Sequence, residues 1–138
     1  MNRINHKAAM SDYSLSDLQL AVMHVLWDRT EATAQEVRRD LAPERDLAMS
    51  TISTVLGRLR ERDLVSHRRD GRGYVYRAEV AHEEVRRSMV EDLIDSVFKG
   101  DSRALVAHLV RETEFEVDEL EDLERLVRDI DDTESTDE

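Results

Sequence analysis

The chain has 138 residues, 40% of them hydrophobic and 38% charged, with a formal net charge of -12 and no cysteine. That length suits one domain with a real core, or a small domain plus an oligomerisation element. The absence of cysteine excludes disulfides, thiolate metal sites and thiol catalysis, and the absence of any long apolar run excludes a membrane-spanning helix.

Local potential governs what a surface attracts, and here the charge is unevenly spread. Residues 1–80 carry 13 Lys+Arg and 12 Asp+Glu, a net charge of +1, whereas residues 81–138 carry 7 and 20, a net charge of -13. Within residues 47–77 seven arginines face Glu61, Asp63 and Asp70, so that stretch alone is net +4.

Residues 1–13 read as a flexible polar leader without a secretory or transit signal, consistent with a cytoplasmic protein. Leu15-Ser16-Asp17-Leu18-Gln19-Leu20 then has the form of a helix start, with Ser16 and Gln19 as a capping box and Leu15 stapling onto Leu20. This first helix runs to about Trp27, which is read as a packing residue, and His24 is placed at its surface. A second box, Thr33-Ala34-Gln35-Glu36, opens a short helix buried through Val37 and Leu41 and stopped near Pro43.

The third helix, roughly Met49 to Arg62, sets Ile52, Val55, Leu56 and Leu59 in one apolar stripe. Its other face is small and polar, with Ser50, Ser53, Thr54 and Gly57 flanked by Arg58, and Thr51 is a further hydroxyl on the same helix. Solvent faces usually carry Glu and Lys, so hydroxyls with a glycine suggest a face that another body approaches closely. Two short strands follow, about Val65 to Arg69 and Tyr74 to Ala78, joined by Asp70-Gly71-Arg72-Gly73 as a tight hairpin. Tyr74 and Tyr76 are assigned to packing under it.

Three helices and an arginine-tipped hairpin give the order of a winged helix-turn-helix over residues 14–80. Hydroxyls and a forked guanidinium on the third helix suit base edges, and His67, Arg68, Arg69, Arg72 and Arg77 on the wing suit phosphates. Double-stranded DNA is therefore the expected partner.

Residues 81–130 form a helical region of a different kind. Val85, Met89, Leu93 and Val97 recur every four residues, a fifth helix carries Leu105, Val106, Leu109 and Val110, and a sixth carries Leu120, Leu123, Val127 and Ile130. These seams need a partner, and a second copy of the chain is the simplest one. The dimerisation residues expected are Val85, Met89, Leu93, Val97, Leu105, Leu109, Leu120, Leu123 and Val127. Residues 131–138 read as a disordered acidic tail. The fold class expected is mainly α with a small β-hairpin.

His108 and Glu112 share a helical face, but no third ligand accompanies them, so no metal and no cofactor is expected. No nucleophile elbow, phosphate-binding loop or HExxH pattern is present, and an enzyme is not expected.

Taken in order, "LQLAVMHVLWD", "ATAQEV", "MSTISTVLGRL", "GRGYVY", "FKGDSRALVAHLV" and "DELEDLERL" resemble the penicillinase-repressor family of BlaI/MecI type over residues 14 to about 127. The resemblance implies a homodimeric bacterial repressor binding an inverted-repeat operator through Ser50 to Arg62 and the wing Val65 to Ala78. In some members of that family release follows cleavage by a sensor-linked protease at an Asn-Phe bond in the fifth helix. This chain has His108-Leu109 at that place. Copper-responsive relatives carry cysteine pairs, which this chain lacks. The residues leave open a ligand- or metal-responsive winged-helix regulator, and a winged helix used as a protein-interaction module.

Overall fold

A computed structural model describes residues 13–136, with side chains through Ile130. Its elements are α1 (Asp17–Arg29), β1 (Glu31–Thr33), α2 (Ala34–Leu41), α3 (Met49–Glu61), β2 (Val65–Asp70), β3 (Gly73–Ala78), α4 (His82–Val97), α5 (Ser102–Glu112) and α6 (Val117–Thr136). The chain divides into two units, which part between Leu93 and Ile94. Of the expected leader, only Tyr13 is among the described residues.

Both expected capping boxes form. Ser16 Oγ accepts the Gln19 N–H at 3.2 Å while the Gln19 side chain accepts the Ser16 N–H at 3.1 Å. Thr33 Oγ1 and Glu36 make the same reciprocal pair at 3.1 and 2.9 Å. A cap of this kind contributes about 1 kcal/mol by satisfying N–H groups that the helix itself leaves unpaired. By contrast, α3 begins at Ala48 with no side-chain cap.

The core of the first unit takes Val22, Met23 and Leu26 from α1, Val37 from α2, and Ile52, Leu56 and Leu59 from α3, all fully buried. The stripe read from the sequence of α3 is thus the face it buries. At about 1.5–3 kcal/mol per buried side chain of this size, these residues are the main source of stability in the unit.

The sheet has three strands in the order β1-β3-β2, all antiparallel. The sequence suggested only two. Three residues are too few to show alternation, so Glu31–Thr33 becomes a strand only because β3 offers a free edge. Thr33 ends the strand and caps α2 at once. The β2–β3 hairpin closes at the pair Asp70↔Gly73, with Gly71 at φ 65° as a two-residue turn with glycine first requires.

The helical boundary expected at residue 81 moves. Val85 is only 1% exposed and belongs to the core of the first unit, and Met89 packs against that core. These two residues, assigned by the sequence to a dimer seam, fill the head instead. The Trp27 indole N–H donates to the Val80 carbonyl at 2.9 Å, and the ring stacks on His82 at 4.4 Å. That anchor fixes the start of α4 onto α1.

In the second unit, α4 ends where Lys99 and Gly100 adopt positive φ, with the Gly100 N–H donating to the Ile94 carbonyl at 3.0 Å. Asp101 then caps α5 through the Ala104 N–H at 3.1 Å. No residue of α5 is buried, and Val106, Leu109, Val110, Leu120, Leu123, Val127 and Ile130 are exposed. Helix α6 runs to Thr136, into the stretch expected to be disordered, since extending a formed helix costs little per residue. Residues 137–138 lie outside the described residues.

Candidate nucleic-acid interface

With its stripe buried, α3 turns Ser50, Ser53, Thr54 and Arg58 outward, with Thr51 and Gly57 partly covered. The Thr54 hydroxyl donates to the Ser50 carbonyl at 2.8 Å, so towards a ligand it can only accept. Arg58 has no partner among the described residues, leaving its planar fork free for a base edge. A Cβ built on Gly57 would meet nothing within 4 Å. The fold therefore does not require glycine there; what glycine does is lower the surface beside Arg58.

Register sorts the wing residues. Paired residues share a face and successive residues alternate, so His67, Arg69, Tyr74 and Tyr76 lie on one side with Ala32 and Ala78. Ser66, Arg68, Val75 and Arg77 lie on the other, with Glu31 and Thr33. On that second face the guanidinium of Arg68 meets Glu31 at 2.7 Å, two strands away, and Arg77 approaches Glu79 at 3.7 Å. The Ser66 hydroxyl donates to the same Glu79 carboxylate. Two of the arginines expected on phosphates thus carry carboxylates of their own. On the first face Tyr76 packs against the core, whereas Tyr74 is 38% exposed. His67 stacks on the Tyr74 ring at 4.3 Å and the Arg69 guanidinium lies 5.7 Å from its centre. Arg72 stands at the tip without a partner among the described residues.

A groove of about 520 Å³, within the size range of small-ligand sites, joins the two elements. Its lining comes from Met49 and Ser53 of α3, Thr33, Ala34 and Gln35 at the start of α2, and Asp70, Arg72, Gly73, Tyr74 and Tyr76 of the wing. Ser53 and Arg72, singled out in the sequence, are thereby brought together; Arg58, Arg68 and Arg77 lie outside this lining. Gln35, Met49 and Tyr74 went unrecognised. Tyr74 alone had a signal, the alternation that separates it from Val75, but alternation does not say which tyrosine faces the core.

Two contacts hold the helix-turn-helix in shape. Arg29 grips Asp40 with two nitrogens, at 2.6 and 2.9 Å, and Glu36 at 3.0 Å, tying the end of α1 to α2. The hydrogen bond from Arg29 holds the Asp40 carboxyl below its ordinary value. That of Glu36 is lowered first by the backbone N–H of Thr33. In the turn between α2 and α3, Arg38 Nε donates to the Leu47 carbonyl at 2.9 Å.

Among the described residues no set of three His, Asp or Glu side chains is placed to hold a metal ion, and no helix is long and apolar enough to cross a membrane.

The sequence profile of one family, Penicillinase repressor, matches residues 15–129. The chain belongs to the penicillinase-repressor family. The match starts at Leu15, the first buried residue among the described ones, and ends within α6. The transcriptional regulator BlaI of Mycobacterium tuberculosis is 40% identical over 98 residues, covering 70% of this chain and 71% of that protein. The methicillin resistance regulatory protein MecI of Mammaliicoccus sciuri is 24% identical over 115 residues, covering 83% and 94%. A solution structure of the Bacillus licheniformis BlaI monomeric form in complex with the blaP half-operator is 30% identical, covers 51% of this chain and 87% of that one, and superposes with a TM-score of 0.45. Members of the penicillinase-repressor family are winged-helix DNA-binding repressors and not enzymes, and the first unit of this chain has the winged-helix order of helices and hairpin.

Proposed function

We propose that the protein represses transcription as a cytoplasmic homodimer, each head holding one half of an inverted-repeat operator. The observation that carries this reading is the juxtaposition in the head of a hydroxyl- and arginine-bearing helix face with a wing across one groove. In the second unit, the exposed apolar side chains of α5 and α6 support self-association, because a second copy presents the same stripe. With Val85 and Met89 taken up by the head, the candidates for that seam are Leu93, Val97, Leu105, Leu109, Leu120, Leu123 and Val127.

The helix α3 enters the major groove, where Ser50, Thr51, Ser53, Thr54 and Arg58 read base edges, and the wing lies on phosphates. Two linked heads gain affinity from the effective concentration of the second half-site. Release by a sensor-linked protease acting at His108-Leu109 would remove α6 and with it part of the seam. Both residues are exposed, but they lie within α5, so cleavage requires local unwinding of that helix.

Binding to a genomic operator and to a scrambled duplex of equal length tests the reading. Arg58→Ala should weaken operator binding by about 1–3 kcal/mol while leaving the scrambled duplex nearly unaffected. Equal loss on both would remove Arg58 from base reading, and affinity that does not vary with salt would remove the DNA function.

A further inference from the structure

We infer that the groove between α3 and the wing seats a single backbone phosphate of the duplex, with Tyr74 and Gln35 as its positioning donors and Arg72 as its cation. The inference rests on the DNA-binding reading and adds a subsite to it. A helix in the major groove and a wing lying along the backbone at that groove's edge have a phosphodiester strand between them. A head that engages both must straddle that strand, and the only part of it available for this is whatever lies between α3 and the hairpin. Here that part is a concavity, not a ridge.

The walls suit an anion that must be aimed rather than merely attracted. The Tyr74 ring is fixed by the His67 stack and by Arg69, and its hydroxyl has no partner among the described residues. The Gln35 amide likewise has no hydrogen-bond partner among them, and the Ser53 hydroxyl opens onto the same space. The Thr33 hydroxyl accepts the Glu36 N–H and keeps its own O–H as a further donor on the lining. The charges on the lining, Arg72 and Asp70, cancel. Net charge therefore gives the groove little pull on a phosphate, and directed N–H and O–H groups must supply the grip. The first turn of α2 adds a favourable dipole, since its one carboxylate, Glu36, is engaged by Arg29 and by the Thr33 N–H.

Neutral donors and a cation leave different signatures. Tyr74→Phe and Gln35→Ala in the full chain should each weaken binding about three- to ten-fold, equally on operator and scrambled duplexes, because a phosphate carries no sequence. The slope of log affinity against log salt should stay unchanged in both, whereas Arg72→Ala should reduce it by about 0.9. Replacing single phosphates by uncharged methylphosphonates locates the seat. At one position per half-site the replacement should weaken the wild type, and weaken Tyr74→Phe by a smaller factor, because Gln35 and Arg72 still hold that phosphate. Wild-type affinity in Tyr74→Phe, or undiminished sensitivity of that variant to every replacement, overturns the phosphate seat while leaving DNA binding intact. A wild type that binds no duplex overturns both. The phenylalanine keeps the ring and its stack, so a far-ultraviolet circular dichroism spectrum and an unfolding midpoint equal to the wild type exclude misfolding as the cause.

Discussion

Gly57 is a residue at which stability and function pull apart. An alanine there meets no neighbour within 4 Å and would raise helix propensity in the middle of α3. Gly57→Ala should therefore stabilise the head by about 0.5–1 kcal/mol, read as a higher unfolding midpoint. If the backbone of α3 lies close to the groove floor, the same methyl group should lower operator affinity. A variant that gains stability and keeps full affinity would show that Gly57 approaches nothing. The outward face of α3 was legible from residue type alone, because helical spacing assigns Ile52, Val55, Leu56 and Leu59 to the core and leaves the hydroxyls opposite. The wing was less legible at this scale. Arginine counts could not reveal that Arg68 reaches across β3 to Glu31, a residue 37 positions away.

Among elements, the signals that could be read are those contained within one turn of chain. Ser16 with Gln19 and Thr33 with Glu36 are three residues apart, and both boxes formed. Strand β1, the Trp27–Val80 hydrogen bond and the Arg29–Asp40 clasp depend on partners brought close only by folding, and none was anticipated. That clasp makes the joint between α1 and α2 sensitive to acid. The Asp40 and Glu36 carboxyls both titrate below their ordinary values of 3.8 and 4.5 in the folded chain. Lowered folded values mean stability that is present above the ordinary range and is lost as pH falls through the folded values. The raised value of Arg29 acts far above this window and leaves it unchanged. Urea unfolding across the acid range should show a decline in stability below about pH 4.5 that is shallower in Asp40→Asn than in the wild type. Parallel curves for the two proteins would mean that the clasp contributes nothing to acid sensitivity.

For the molecule as a whole, periodicity tells which face of a helix is apolar but not what covers it. In α4 the stripe Val85, Met89, Leu93, Val97 reads as one seam, yet its first half fills the head and its second half is exposed. The head has its own core of fully buried side chains, whereas α5 has no buried residue, so the two units differ in what they can do alone. A second chain supplying the missing cover would link two heads and make operator binding bivalent. Leu123, 44% exposed in α6, tests this directly. An aspartate there would place an unpaired carboxylate in a closed apolar seam, which costs far more than an exposed charge does. Leu123→Asp should sediment with the mass of a single chain and keep the Trp27 environment of the folded head. It should bind an isolated half-site as well as the wild type does, yet lose about 10²- to 10⁴-fold affinity on the full inverted repeat. Retention of the wild-type mass would take Leu123 out of the interface. A monomer that still held the full site with wild-type affinity would mean that the heads are not coupled through this unit.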